Sequence, residues 1–199
     1  MPLFVVPQPG TRLTPELEER IVRAIRETLH AREFIEIETP VLQLVHGGAA
    51  ARPFDTHMNA FDQKMSLRIA LELPLKKAVV GGVDKVYEMG RLFRNEGVDS
   101  THSPEFTSLE VYEAWGDQFT MAELIKELHL AAADVAGTRT VSTPAGEVDL
   151  DGEWRWLSVY PGLSEALAVG DAPKEDAPRE LLDAMFSQDT WEVWTAEGI

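Results

Sequence analysis

The 199-residue chain contains no cysteine, which excludes disulfides and thiolate metal ligands alike. It has no apolar run of the length, about eighteen residues, that a helical membrane span needs. The opening stretch MPLFVVPQPG lacks the basic lead and long apolar core of a signal peptide. With no such address, a cytoplasmic location is expected. The histidines, His30, His46, His57, His102 and His129, show no ligand spacing, so no protein-only metal site is expected. Positive charge is also scarce: 18 Lys and Arg stand against 34 Asp and Glu, a formal net charge of −16. The deficit is uneven, because residues 147–199 hold 13 acidic residues and only 3 basic ones. Binding to a nucleic-acid backbone is driven largely by phosphate neutralisation, so a stand-alone RNA or DNA binder is disfavoured. A small cationic or amino-bearing ligand suits this composition better.

What is present reads as alternating helix and strand. Thr14-Pro15 is an N-cap followed by proline at the first helical position, and Leu17, Ile21, Val22, Ile25 and Leu29 recur at helical spacing, predicting a helix over 14–32. EFIEIETP (33–40) switches to period two and ends at Pro40, a strand. HGGAAARPF (46–54) is a small-residue loop, and KMSLRIALEL (64–73) reads as another strand. Pro74 is expected to open a helix that Gly81-Gly82 closes, with Lys76 and Lys77 on its solvated face. KVYEMGRLFRNE and EFTSLEVYEAW flank the polar stretch 96–104 and predict a long antiparallel hairpin. Thr120 and Glu123 form a capping-box pair ahead of Leu124, Ile125, Leu128 and Val135. A small hairpin around PAGEV follows, and beyond Gly162 periodicity is weak. Sheet with segregated helices and antiparallel pairing makes the fold class α+β.

Period-two geometry sorts the second hairpin strand into faces. Phe106, Ser108, Glu110, Tyr112 and Ala114 share one; Glu105, Thr107, Leu109, Val111 and Glu113 share the other. An aromatic ring, a carboxylate and a phenol in succession make an odd core face but a plausible pocket wall, the ring stacking on a planar group and Glu110 with Tyr112 receiving a cation. Arg94 ends the first strand, where a guanidinium could take a carboxylate or phosphate in bidentate fashion. Spacing alone leaves a plainer alternative open: Arg94 pairs with a hairpin glutamate, and Phe106 and Tyr112 are core.

FRNEGVDSTHSPEFTSLEVYEAW resembles motif 2 of the class II aminoacyl-tRNA synthetases of the aspartate, asparagine and lysine subgroup. FIEIETPVL resembles their motif 1, and GGAAARPF followed by LRIALELPLKKAVVGG is similar to lysyl-tRNA synthetases in particular. The likeness runs from about residue 15 to 140. It implies the first half of a class II catalytic domain over residues 1–146, with 147–199 an acidic tail of weak family match. It implies ATP-dependent activation of lysine to lysyl-adenylate and transfer to tRNA. The catalytic Arg94 would grip the α-phosphate of ATP and the lysine carboxylate. Glu96 and His102 would engage the nucleotide, and Phe106 would stack on adenine. Gly48 and Glu72 would hold the α-amino group of lysine, Glu110 and Tyr112 its ε-ammonium. Magnesium would accompany ATP, although its carboxylates are not found in this chain. Motif 1 implies a homodimer.

The chain also departs from the pattern. No stretch after residue 140 resembles motif 3, which carries a second ATP arginine, and no anticodon-reading barrel precedes the first helix. Leu71, Pro74 and Ser103 stand where proline, tyrosine and asparagine are usual. Three readings follow: a lysyl-tRNA synthetase catalytic domain cut short and impaired alone, a ligase that joins an amino acid to a protein, and a non-catalytic dimerising, lysine-binding paralogue.

Overall fold

The computed structural model describes residues 14–99, 102–143, 146–158 and 162. The chain divides after Ala136 into two compact units. In the first, helix α1 (Pro15–Ala31) is followed by strands β1 (Ile35–Glu36), β2 (Leu42–Gln43), β3 (Asp55–Met58) and β4 (Gln63–Leu67). Helix α2 (Glu72–Val80), strands β5 (Lys85–Phe93) and β6 (Glu105–Glu113), and helix α3 (Gln118–Ala136) complete it. The second unit contains the hairpin β7 (Thr140–Thr143) and β8 (Gly146–Asp149), where Arg139 pairs with Asp151 and the Trp154 indole donates to the Leu150 carbonyl at 2.9 Å.

Helix α1 forms where its pattern demands. Thr14 Oγ1 accepts from Leu17 N at 3.2 Å, proline occupies the first turn, and Ile21, Ile25 and Leu29 turn inward. Each fully buried aliphatic side chain contributes about 1.5–3 kcal/mol, more than any propensity term, so packing decides the helix. It lies with α3 against one face of the hairpin: Ile21, Ile25, Leu29, Phe34, Tyr87, Leu124 and Leu128 form the core, flanked by Leu109 and Val111. The opposite face packs on α2 through Leu71, Leu75, Val86 and Leu92, with Phe106 and Tyr112 at the margin. The predicted face assignment of β6 is the one observed.

Strand β5 pairs antiparallel with β6 over nine residue pairs, from Lys85 opposite Glu113 to Phe93 opposite Glu105, and parallel with β1. A second antiparallel sheet, β2-β4-β3, carries the loop 46–54 between its strands.

Several boundaries differ from the sequence-based expectation. The strand expected over 33–40 is regular only at Ile35–Glu36, because Glu33 adopts a left-handed φ of 67° and the chain turns away after Ile37 N donates to Tyr87 O. The strand expected over 64–73 stops at Leu67, and α2 begins at Glu72 rather than at Pro74. Proline fits there because the first-turn N–H groups have no intrahelical acceptor. Helix α3 likewise begins before Thr120: Asp117 Oδ1 accepts from Phe119 N at 3.0 Å and from Thr120 N at 2.9 Å, so Asp117 caps the helix. Ile125 is exposed. The residues beyond Gly162, where periodicity is weak, lie outside the described residues.

Candidate functional site

The site grows from the N-terminus of α2, where three distant segments meet. Gly48 has a φ of 89°, a conformation that side chains with a Cβ rarely adopt. A Cβ there would lie 2.7 Å from Glu72 Cβ and 3.0 Å from Ala70 Cβ, so only glycine lets the small-residue loop approach α2 this closely. The same imaginary Cβ lies 3.4 Å from Glu72 Oε2, which places that oxygen beside the glycine backbone. The other oxygen is engaged: Lys76 Nζ donates to Glu72 Oε1 at 2.7 Å, one helical turn on. Lys76 and Lys77 are both exposed as expected, but Lys76 is not merely solvated, since its ammonium also stands 6.0 Å from the centre of the Tyr112 ring.

Glu110 ties β6 to the same helix end. Its Oε1 accepts from Leu71 N at 2.8 Å, and its Oε2 accepts from Tyr112 Oη at 3.0 Å. Burial first, then the charge and hydrogen bond of Glu110 and the charge of Glu72, raise the Tyr112 phenol far above its ordinary pKa. The phenol therefore stays protonated and donates. Gly48, Glu72, Glu110 and Tyr112 thus gather into one acidic corner.

Arg94 stands where β5 leaves the sheet. Its backbone N donates to Pro104 O at 2.9 Å and its Nε to Ile69 O at 3.3 Å, while the guanidinium carbon sits 5.2 Å from the centre of the Phe106 ring. Among the described residues no carboxylate pairs with Arg94. The plainer alternative, a hairpin glutamate for Arg94, is thereby set aside. A guanidinium held by one backbone carbonyl and one ring keeps most of its donors for an anion.

Glu96 bonds across to the loop 46–54, and His102 bonds within its own loop. Glu96 Oε1 accepts from Arg52 N at 3.2 Å, and Asn95 N donates to Arg52 O at 2.8 Å, which staples the loop 46–54 to the motif 2 loop. Between them lies a cleft of about 740 Å³ lined by His46, Gly47, Arg52, Asn95, Glu96 and neighbouring small residues. The cleft reaches the acidic corner through Gly47, the neighbour of Gly48. His102 is exposed, with its backbone N 2.8 Å from Asp99 Oδ1 and its ring Nδ1 2.8 Å from Asp99 Oδ2. Among the described residues no group of three or more His, Asp or Glu could cage a metal ion.

One feature escaped the sequence reading: Arg68, just after β4, and Glu88, within β5, each about 4% exposed, form an ion pair at 2.6 Å. The available signal was a charge inside each of two apolar runs, MSLRIAL and KVYEMG.

Residues 7–191 match the family model of tRNA synthetases class II (D, K and N). The chain is 51% identical over 175 residues to a lysine–tRNA ligase of Kineococcus radiotolerans, a match covering 87% of this chain and 35% of the relative. It is 50% identical over 177 residues to a lysine–tRNA ligase of Mycobacterium tuberculosis, covering 88% and 35%. A lysine–tRNA ligase of Thermoanaerobacter is 49% identical over 164 residues, covering 79% and 33%. The chain therefore spans about a third of the length of the curated relatives it matches. With the motif 2 hairpin, the Gly48–Glu72 contact and this match over most of its length, the chain belongs to the class II tRNA synthetases of the D, K and N type.

Proposed function

We propose that this chain carries the motif 1 and motif 2 part of a lysine-activating site, binding lysine and ATP, and that activation by the chain alone is impaired. The observation that carries the reading is the acidic corner itself. Two carboxylates and a protonated phenol converge at one helix end beside an arginine with no carboxylate partner among the described residues. Lysine presents two ammonium groups and one carboxylate, the matching charge pattern.

In this reading the α-ammonium goes to Glu72 Oε2, which Lys76 leaves available, with Gly48 keeping the space beside it open. The ε-ammonium goes to Glu110 and Tyr112. Arg94 spans the lysine carboxylate and the α-phosphate of ATP. A carboxylate oxygen attacks the α-phosphorus, a new P–O bond forms, and the bond to the bridging oxygen of pyrophosphate breaks. Phe106 offers its ring to adenine, and Glu96 and His102 flank the nucleotide from the loop. Arg94 is a single cation against a triphosphate, and each missing charge-stabilising group costs about two to three orders of magnitude in rate. Transfer of lysine to tRNA belongs to the same reading, and so does a cytoplasmic location. Pairing of two chains through motif 1 is supported by the exposure of Val41 and Leu42 at its end and of Leu44 and Val45 just after it, at 37%, 47%, 66% and 74%. That surface favours a second reading, a dimerising lysine-binding protein without turnover.

Calorimetric titration of the folded chain with lysine and with ATP tests the proposal. Binding of both is expected, with ATP affinity falling about tenfold or more in Arg94→Ala, the loss of a charge-assisted contact. Failure of the folded chain to bind lysine refutes the site. Lysine-dependent exchange of pyrophosphate into ATP, abolished by Arg94→Ala, overturns the claim of impairment.

A further inference from the structure

Behind the β5 end of the hairpin, a buried cluster joins three segments that sequence keeps far apart. Arg68 Nη1 donates to Glu88 Oε1 at 2.6 Å and to the Thr39 carbonyl at 2.9 Å, and Arg68 Nε donates to the Arg91 carbonyl at 2.8 Å. The second Glu88 oxygen accepts from Thr39 Oγ1 at 2.6 Å and from Thr39 N at 3.1 Å. Both charges are more than nine-tenths buried. The arrangement leaves no slack: a Cβ on Gly90 would lie 2.4 Å from Arg68 Nη2 and 2.9 Å from Glu88 Oε1.

A buried ion pair is a poor source of net stability, because desolvation of both charges offsets most of their attraction. What this pair supplies is a fixed point. Arg68 N donates to Val41 O at 2.9 Å and Phe93 N donates to Arg68 O at 3.0 Å, so the backbone at Arg68 sets where β5 ends. The next carbonyl, Ile69 O, is the acceptor of Arg94 Nε. Arg94 therefore takes its position from two neighbours of the clamp, Phe93 before it in the chain and Ile69 across from it.

We propose that Arg68, Glu88 and Thr39 are positioning residues that fix the Arg94 guanidinium for its anionic ligand. The inference rests on the reading of Arg94 as the anion-binding group, but the geometry it claims exists without ligand. Two readouts separate these. The first is the NMR cross-peak of the Arg94 Nε–H, assigned by its loss in Arg94→Lys. In Glu88→Gln and in the milder Thr39→Val, this proton is expected to exchange with solvent about tenfold faster, as the loss of one charge-assisted hydrogen bond implies. Amides of the α1–α3 core, such as those of Ile25 and Leu128, are expected to keep their protection in Thr39→Val; Glu88→Gln leaves Arg68 a buried charge without its partner, so there the Arg94 proton is expected to speed up more than those amides do. A general loss of stability would speed all of them alike and so would overturn the proposal. An Arg94 cross-peak unchanged in both variants would also overturn it.

The second readout is ATP affinity in each variant with and without Arg94→Ala. A weakening of about tenfold that disappears in the Arg94→Ala background supports the proposal. An equal weakening in both backgrounds overturns it. If ATP leaves the wild-type Arg94 cross-peak unmoved, the nucleotide reading fails, while the exchange rates still decide the clamp.

Discussion

Replacing Glu110 by glutamine keeps the shape of the acidic corner and removes its charge. In the folded chain Glu110 accepts from Leu71 N and from Tyr112 Oη, and a glutamine oxygen can still accept from Leu71 N. The Tyr112 hydroxyl can turn to accept from the new amide. Stability should therefore fall by only about 1 kcal/mol, the net value of an ordinary hydrogen bond. Lysine binding should fall further. A charge-assisted hydrogen bond to an ammonium is worth about 1.5–3 kcal/mol, which weakens the dissociation constant about tenfold to a hundredfold. Two measurements on the same samples separate these effects: calorimetric lysine titration and thermal unfolding without ligand. Tyr112→Phe supplies the control, since it leaves the carboxylate charge in place and removes only the hydroxyl that donates to it. The reasoning is refuted if Glu110→Gln binds lysine as tightly as wild type. It is equally refuted if the two variants lose the same affinity, because charge would then not be what the ligand reads.

Three further substitutions probe the frame. Gly48→Ala should lower both melting temperature and lysine affinity, since a left-handed φ strains any residue with a Cβ by about 1–3 kcal/mol and that Cβ meets Glu72; unchanged titration and melting curves would contradict this. Burial pushes the Glu36 carboxyl up, but the Arg26 and Tyr87 hydrogen bonds and the Arg26 charge outweigh it and hold its pKa below the ordinary value. A depressed folded pKa means stability present above the unfolded value and lost as pH falls through the folded one, so Glu36→Gln should destabilise at pH ~7 and converge with wild type only once pH falls below the ordinary glutamate range and through the lowered folded pKa in chemical denaturation. Asp117→Ala should lower the melting temperature at neutral pH by uncapping α3, and because hydrogen bonds from the Thr120 backbone and side chain depress the Asp117 pKa, the difference should likewise vanish in acid.

The legible parts of the fold were those with a repeating pattern. Helix α1 declares itself because Ile21, Ile25 and Leu29 recur on one face and Thr14-Pro15 mark its start. The hairpin does so because alternation in β6 continues over nine residues, which assigns Phe106, Glu110 and Tyr112 to one face. The helix starts were less legible for a common reason. Pro74 and Thr120 both suit a first helical turn as well as a boundary. At α2 a tertiary bond decides, since Glu110 captures Leu71 N, whereas at α3 a neighbouring side chain, Asp117, takes the cap position ahead of Thr120. The Arg68–Glu88 clamp was invisible because its partners lie 20 residues apart and each, read alone, is a charge that interrupts an apolar run. Family resemblance supplied what pattern could not, namely that Gly48 and Glu72 share a site.

Charge balance makes the two proposed ligands interdependent. The acidic corner carries two carboxylates, Glu72 and Glu110, against one ammonium, Lys76, and Arg94 stands beside it. A triphosphate approaching Arg94 therefore meets a net negative wall. Lysine brings two ammonium groups and one carboxylate, a net charge of about +1 at neutral pH, so it neutralises that wall. One unit charge at ~8 Å is worth about 0.5 kcal/mol in water-like screening and about 2 kcal/mol at an effective dielectric of ~20. ATP should thus bind about twofold to thirtyfold more tightly to the lysine-saturated chain. Linkage requires the reverse as well, so saturating ATP should tighten lysine by the same factor. Paired titrations in both orders measure that factor directly, and in Glu110→Gln it should shrink, since the wall then starts closer to neutral. Equal ATP affinity with and without saturating lysine would mean the ligands do not share a wall, and the placement of Arg94 beside the acidic corner would lose its functional meaning.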